Sequence, residues 1–317
     1  MTEPRPAPAI AVVVPCYNEQ AALPHTSAQL IELVEGLVSA GHAASGSAIY
    51  FVDDGSHDRT WELIAEIAAR HPRCHGIKLS RNCGHQNALL SGLLTVPGDA
   101  VISIDADLQD DVAAMQQMVA AYRAGAEIVY GVRSGRQSDS RFKRLTAEGY
   151  YRLAAAMGVR LVANHADYRL LSRRAVETLK EFKERNLFLR GIIPQLGFNS
   201  AMVYYERHER VAGESKYPLG RMLAFAFDGI TSFSAVPLKI ITLLGSLVAA
   251  GSFFIALWAL WVRTFNAAAV PGWASTVVPL YFLGGIQLLS TGIIGQYLAK
   301  TYIETKARPR FTIDETI

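Results

Sequence analysis

Apolar runs of strand length alternate with longer stretches of helical periodicity through the first half of the chain. The runs are short and mostly apolar and predict five strands, at residues 10–14, 48–52, 76–79, 100–104 and 128–132. The stretches between them repeat apolar residues at helical spacing and predict four helices, at residues 22–40, 60–70, 86–94 and 112–124. Such an alternation is typical of an α/β fold in which helices cover both faces of a parallel sheet.

Two long uncharged runs, at residues 240–262 and 274–299, dominate the second half of the chain. Each exceeds the roughly 20 residues that a helix needs to cross a bilayer, so we predict two transmembrane helices. The alternative is a buried helical hairpin in a large soluble core. Arg263 is the only charged residue between the runs, whereas basic residues crowd the stretch after the second run. The positive-inside rule therefore places both termini in the cytosol.

Apolar segments with isolated charges lie ahead of the first run, at residues 187–198 and 217–237. Their position next to a membrane segment favours amphipathic interfacial helices, with additional core packing as the alternative. The predicted organisation is a cytosolic α/β domain at 1–205, a juxtamembrane amphipathic segment at 206–236, a two-helix membrane region at 237–299 and a cytosolic basic tail at 300–317.

Length and composition narrow the classes of function. A chain of 317 residues is long enough for one sizeable domain and a second part. Its net charge of +3 is too small to indicate binding of nucleic acid. Three cysteines without metal-ligand spacing fit a reducing compartment, and the proline-interrupted N-terminus does not resemble a signal peptide. The α/β domain is therefore expected to stay in the cytosol.

Polar and acidic residues concentrate directly after the predicted strands. In open parallel sheets, ligands bind beyond the carboxyl ends of the strands, so these segments are where a site is expected. The segments are PCYNE at 15–19, DDGSHD at 53–58, SRNCGHQ at 80–86 and DADLQDD at 105–111.

Two carboxylates of the fourth segment predict a metal site. Asp105 and Asp107 face the same way if the segment is extended, because side chains alternate with a period of two. Their oxygens can then converge on one hard cation, Mg²⁺ or Mn²⁺, that leaves other positions to water and substrate phosphates. Asp110 and Asp111 are better explained as caps of the following helix.

The second segment contains both structural and candidate binding residues. Gly55 permits a tight turn, and Ser56 or Asp58 can cap the helix that begins near Thr60. Capping explains neither the acidic pair ahead of Gly55 nor Glu19 in the first segment. These carboxylates can accept hydrogen bonds from the base or the ribose of a nucleoside. The acidic pair is Asp53 and Asp54.

Four basic residues lie in loops or at strand ends, where cations commonly recognise phosphate. Lys216 and Arg210 are the preferred contacts of an acceptor phosphate, and an ordinary surface charge is the alternative for each residue taken alone. The four candidates are Arg133, Arg207, Arg210 and Lys216.

These motifs together resemble a known family. VVPCYNE, VDDGSHD and DAD, at their separations in an α/β chain, resemble the family 2 glycosyltransferases with a GT-A fold. SRNCGHQNALLSGL, DADLQD, DYRLLSRR and the segment ERVAGESKYPLG are similar to polyisoprenyl-phosphate glycosyltransferases. That group includes bactoprenol glucosyltransferases and dolichol-phosphate mannose synthases, and the resemblance covers nearly the whole chain.

The resemblance implies roles for individual residues. Asp105, Asp107 and Gln109 would surround the divalent metal, with Asp105 also near the nucleotide and Asp107 essential for catalysis. Asp167, in DYRLLSRR, falls where several members place a candidate catalytic base. The nucleoside would be held by Pro15, Tyr17, Glu19, Asp53 and Asp54.

The implied reaction is an inverting, metal-dependent transfer of a sugar from a nucleotide-sugar, UDP-glucose favoured, to polyprenyl phosphate. In a bacterium the acceptor would be undecaprenyl phosphate at the cytosolic face of the inner membrane, among membrane lipids and without nucleic acid. Bacterial relatives suggest a homo-oligomer. The alternatives are a glycosyltransferase with another lipid or saccharide acceptor, hydrolysis of the donor, or a non-catalytic membrane scaffold that binds nucleotide-sugar.

Overall fold

The computed structural model describes residues 4–134, 165–185, 188–206, 234–265 and 273–317. The chain divides into two compact units. The α/β unit contains the described residues up to 206 together with 308–317, and the helical unit contains 234–265 and 273–307.

All five predicted strands and all four predicted helices are present, with ends within two residues of those expected. The strands of the α/β unit are β1 Ile10–Cys16, β2 Ala48–Asp53, β3 Cys74–Leu79, β4 Ala100–Ser103, β5 Ile128–Arg133, β6 His165–Ser172, β7 Ser200–Tyr205 and β8 Ile313–Thr316. The helices are α1 Leu23–Ser39, α2 Thr60–Arg70, α3 His85–Thr95, α4 Ala114–Arg123, α5 Arg173–Lys180 and α6 Leu189–Ile192.

The eight strands form one mostly parallel sheet in the order β7-β5-β6-β4-β1-β2-β3-β8. Strands β1 to β4 are parallel to their neighbours among themselves, as predicted, and β5 is parallel to β7. Strand β6 lies antiparallel between β4 and β5. This insertion is not apparent from the sequence pattern, and it brings Asp167 next to the end of β4.

The core of the α/β unit lies between the sheet and its helices. Every residue of β1 is buried, as expected for a central strand covered on both faces. Leu23, Leu30 and Val34 place the apolar face of α1 in this core. Helix α3 packs so closely that a Cβ atom at Gly92 would lie 2.4 Å from Cγ1 of Val13. The rigid sheet holds the strand ends, and therefore the loops that follow them, in fixed positions.

The end of the chain forms the edge strand β8, which pairs antiparallel with β3. Gly76 and Ile317 exchange two backbone hydrogen bonds of 3.0 and 2.9 Å, and Ser80 donates to Thr312 O at 3.0 Å. The predicted basic tail at 300–317 is therefore divided, because its first residues continue a helix and its last residues complete the sheet of the α/β unit.

The apolar side chains of residues 189–193 are part of the α/β core. Helix α6 continues into a 3-10 turn, Ile193–Leu196, and Leu189, Ile192 and Ile193 are at most 1% exposed. The predicted interfacial helix at 187–198 is therefore wrong for these residues, and the alternative of core packing is confirmed. Isolated charges made the segment look amphipathic, although its apolar side chains face protein.

The helical unit consists of two long helices that contact each other, α7 Val236–Phe265 and α8 Trp273–Lys306. Their 30 and 34 residues correspond to lengths of about 45 and 51 Å. By length and composition, one described segment, Phe282–Lys306, is apolar enough to cross a membrane, and Val236–Val248 is a shorter apolar stretch. One candidate span is thus supported, and the second remains a prediction. The predicted juxtamembrane segment lies almost entirely outside the described residues.

Candidate active site at the carboxyl edge of the sheet

The loops after β1 and β2 are joined by hydrogen bonds at the carboxyl edge of the sheet. The N–H of Asn18 donates to Ser56 Oγ at 3.0 Å, and the N–H of His57 donates to Asn18 Oδ1 at 2.9 Å. The N–H of Glu19 donates to Thr60 Oγ1 at 2.9 Å. These bonds form because parallel neighbours β1 and β2 end side by side. The two loops therefore act as one platform.

Three predicted nucleoside contacts lie on this platform. Pro15 is buried within β1, Glu19 is half-buried, and Tyr17 is 42% exposed with its ring edge-on to His57. Tyr17 is thus the most exposed of the three.

Asp53 and Asp54 are buried, and burial raises the pKa of both carboxyls. Asp54 accepts the N–H groups of Cys83 and Gly84 at 2.7 and 2.9 Å, while Asp53 accepts the N–H of Ser56 at 3.3 Å. Asp54 therefore holds the loop that leads into α3. The contacts of Asp53 and Asp54 with a nucleoside stay a prediction.

Gly55 is required where these loops meet. Its φ of +67° lies in the left-handed region, and a Cβ atom there would lie 2.6 Å from the backbone carbon of Arg81. Both conformation and space thus favour glycine at this turn.

The register of β4 and β6 brings Asp105 and Asp167 together. Ser103 pairs with Arg169 in this antiparallel ladder. Asp105, two residues after Ser103, and Asp167, two residues before Arg169, therefore lie at the same edge of the sheet. Strand β4 ends at Ser103, and a turn follows in which Leu108 N–H donates to Asp105 O at 3.3 Å. The predicted extended geometry of Asp105 and Asp107 is therefore wrong, and the two carboxylates lie on a turn.

His85, the first residue of α3, lies between the two carboxylates. Its Nε2 is 3.5 Å from Asp105 Oδ1 and 3.6 Å from Asp167 Oδ2. Burial lowers the pKa of His85, but the carboxylates of Asp167 and Asp105 outweigh this and raise it. The pKa of Asp105 is raised to about 6 by burial and by the nearby carboxylates, against the lowering effect of His85.

Asp167 is held by two guanidinium groups. Arg169, which is fully buried, donates from Nη2 to Asp167 Oδ1. Arg190 donates from Nε to Oδ1 at 3.3 Å and from Nη2 to Oδ2 at 3.1 Å. Burial opposes ionisation of Asp167, yet Arg169, His85 and Arg190 together hold its pKa well below the usual value. A carboxylate bound in this way is a weak proton acceptor.

Residues of the DADLQDD segment divide between buried and half-buried positions. Asp110 is buried and accepts from Arg133 Nε and Nη2 at 2.9 Å, so its predicted capping role is wrong. Asp111 accepts the N–H of Ala113 at 2.9 Å in the turn ahead of α4, but the N-cap of α4 is Ala113 and has no side-chain cap hydrogen bond, so the predicted cap is wrong for Asp111 as well. Gln109 is also buried, and its N–H donates to Asp107 at 3.3 Å.

His85 borders the site that the sequence predicts, and Arg169 and Arg190 are residues of the site that the sequence analysis did not single out. His85 had a signal, since its segment SRNCGHQ follows a strand at the expected edge. Arg190 had no such signal in the sequence, because it is distant from Asp167 along the chain and contacts it only in the folded structure. The remaining predicted phosphate contacts, Arg207, Arg210 and Lys216, lie outside the described residues.

The side chains at this edge fit a divalent cation bound in part by substrate. Within the described residues, no group of three or more His, Cys, Asp or Glu side chains is arranged to enclose a metal. The chain offers Asp105 and Asp107, and burial and neighbouring carboxylates disfavour the charged form of Asp105. A divalent cation would relieve that repulsion. Mg²⁺ and Mn²⁺ accept such partial sites when water and phosphate oxygens supply the other ligands.

Comparison with known proteins agrees with this arrangement. The profile described as Glycosyl transferase family 2 matches residues 11–180. The uncharacterized glycosyltransferase YkoT of Bacillus subtilis is 48% identical, over 97% of this chain and 91% of its own. Bactoprenol glucosyl transferase of Shigella phage SfX is 39% identical, over 96% of this chain and 98% of its own. A prophage bactoprenol glucosyl transferase homolog of Escherichia coli K12 is equally similar, at 39%.

Among solved structures, this chain is similar to a glucosyl-3-phosphoglycerate synthase from Mycobacterium tuberculosis in complex with Mn²⁺, UDP and phosphoglyceric acid. It is 20% identical, with a TM-score of 0.47, and the match covers 70% of this chain and 76% of that one. The family match and the mostly parallel sheet support the GT-A fold. The chain belongs to glycosyl transferase family 2, and over almost its whole length it is similar to that family's bactoprenol glucosyl transferases.

Proposed function

We propose that this enzyme transfers a sugar from a nucleotide-sugar to a polyprenyl phosphate at the cytosolic face of the membrane, with inversion at the anomeric carbon. UDP-glucose and undecaprenyl phosphate are the preferred substrates, because full-length relatives are named bactoprenol glucosyl transferases. The observation that carries the proposal is the edge cluster of Asp105, Asp167, His85 and Arg190, which combines carboxylates for a cation with a cation for phosphate.

The donor would lie across the loops after β1, β2 and β4. Tyr17 would face the base, with Pro15, Glu19, Asp53 and Asp54 shaping the nucleoside pocket. Asp105 and Asp107, with Gln109 supporting their turn, would hold Mg²⁺ or Mn²⁺. When bound, this ion supplies positive charge that stabilises the leaving diphosphate.

The acceptor does not require a strong base. A phosphate monoester has its second pKa at about 6, so its oxygen is largely ionised at neutral pH. The lowered pKa of Asp167 and its two guanidinium partners fit a residue that orients cations rather than one that removes a proton. We therefore assign Asp167 to positioning. Arg207, Arg210 and Lys216 remain proposed contacts of the acceptor phosphate.

The helical unit would hold the enzyme at the bilayer where the acceptor resides. Large apolar side chains are exposed along both helices, including Leu247, Phe254, Trp258 and Leu288. Exposed apolar surface of this kind indicates contact with lipid. We propose that α7 and α8 are two spans with both termini cytosolic. The homo-oligomer stays a prediction.

The test is a product analysis with the full-length protein purified in detergent. With UDP-[¹⁴C]glucose, undecaprenyl phosphate and Mg²⁺ or Mn²⁺, label should move into an organic-extractable, phosphate-containing lipid. Excess chelator should stop the transfer, and added metal should restore it. Asp107→Ala should be inactive, whereas the matched control Asp314→Asn, an exposed acid on β8, should keep full activity. Label released into water or attached to diacylglycerol would refute the proposed acceptor.

A further inference from the structure

Arg190 is the one part of the cluster around Asp167 that no sequence motif assigned. Its guanidinium donates to both oxygens of Asp167, at 3.3 and 3.1 Å. These two bonds use only part of the guanidinium's donors. The remaining donors lie on a side chain that is 37% exposed, at the same edge as Asp105 and His85.

The two arginines of the cluster differ in what they can reach. Arg169 has no exposed side-chain surface, and it already supplies one positive charge against the single negative charge of Asp167. Arg190 adds a second positive charge beyond the one that balances Asp167, and Asp105 is a further carboxylate close enough to interact with it. Because this second guanidinium reaches the surface, its charge is available to a ligand.

The position of Arg190 is fixed from three sides. Leu189 and Ile192, on the same short helix, are buried in the core. The side-chain Oε1 of Gln86 accepts the N–H of Leu189 at 2.9 Å, which ties α6 to the start of α3. Asp167 then fixes the tip of the side chain. A guanidinium held in this way binds an anion with little further loss of rotamer freedom.

We propose that Arg190 contacts phosphate oxygens of a substrate in the transfer site, and that Asp167 is the residue that positions it. The ligand is a phosphate group, either that of a polyprenyl phosphate or the diphosphate of a nucleotide-sugar. A planar fork of donors suits both, since it forms paired charge-assisted hydrogen bonds to oxygen anions. This inference rests on the proposed function, because it assigns a ligand class to a residue of the same site.

Binding measurements separate the two sources of phosphate. UDP with Mn²⁺ and a short-chain prenyl phosphate in detergent would be titrated separately against wild type, Arg190→Gln and Arg190→Lys. Loss of charge-assisted bonds predicts a weakening of about tenfold to hundredfold for Arg190→Gln with one of the two ligands. Arg190→Lys should be intermediate, because it keeps the charge and loses the fork. The ligand that weakens identifies the source.

Arg70→Gln is the matched control, since it removes a guanidinium whose side chain is 75% exposed on α2. It should bind both ligands as wild type does. A cycle with Asp167→Asn tests the positioning role, because two residues that act through one another give non-additive losses of affinity. If Arg190→Gln does not fold, Arg190→Lys carries the same comparison.

If a folded Arg190 variant binds both ligands with wild-type affinity, the proposed contact between Arg190 and phosphate is overturned. If the losses of affinity in the Arg190 and Asp167 cycle are additive, the positioning role of Asp167 is overturned. Neither readout requires turnover. Failure of the wild-type enzyme to glycosylate the lipid would instead refute the proposed function, so the two failures are distinguishable.

Discussion

Replacement of Asp167 by asparagine removes a charge from the buried part of the site without changing its size. Arg169, which is 0% exposed, then loses its carboxylate partner inside the protein. Breaking a buried pair in this way costs about 3–5 kcal/mol of the free energy of unfolding. The bond to Arg190 adds about 0–1 kcal/mol, because that side chain is partly exposed and solvent screens it.

The expected loss is large enough to measure by thermal unfolding of the full-length protein in detergent. At about 2–4 °C per kcal/mol for a domain of this size, 3–5 kcal/mol corresponds to a decrease in Tm of about 6–20 °C. Asp314→Asn, which removes an exposed carboxylate on β8, is the control and should change Tm by less than about 2 °C.

The pH dependence provides a second check. The folded-state pKa of Asp167 lies well below its usual value of 3.8, so its stabilising contribution is fully present above that value. The contribution is lost only as pH falls from about 3.8 toward the folded-state pKa. Between about pH 5 and 8 the difference between wild type and Asp167→Asn should therefore change only through His85 and Asp105, whose pKa values Asp167 raises. A difference below about 1 kcal/mol at neutral pH, or one that does not decrease as pH falls below about 3.8, would refute the reasoning.

Three further predictions concern catalysis, the loop platform and the membrane. Asp107→Ala should abolish transfer whereas Asp167→Asn should retain part of it, measured as radiolabelled lipid product per folded enzyme; complete loss in both would contradict the division of roles. Gly55→Ala should cost about 1–3 kcal/mol in thermal unfolding, because φ is +67° and a backbone carbon is 2.6 Å away. Gly36→Ala, on α1 with nothing within 4 Å, should be neutral or stabilising. Replacement of residues 236–306 by a flexible linker, which keeps β8, should reduce transfer to long-chain acceptor far more than UDP binding, and equal losses would argue against a membrane role for the helical unit.

Part of the site was predictable because the carboxyl ends of parallel strands share one edge. Local periodicity located β1 to β5, and the segments after them contain Tyr17, Asp54, His85 and Asp105. What these residues contact was not predictable. Asp54 turned inward to two backbone N–H groups of the next loop, a use that the doublet DD does not reveal.

By itself, the sequence determined the α/β class, the strand order along the chain and the edge at which polar residues gather, because alternating burial repeats at short range. Only the tertiary structure decided the antiparallel insertion of β6, the pairing of β8 with β3 and the ion pairs of Asp167. Each joins segments that are distant along the chain. A hydrophobic pattern reports whether a side chain is buried, but the partner of a charge depends on which strands pair and in what register.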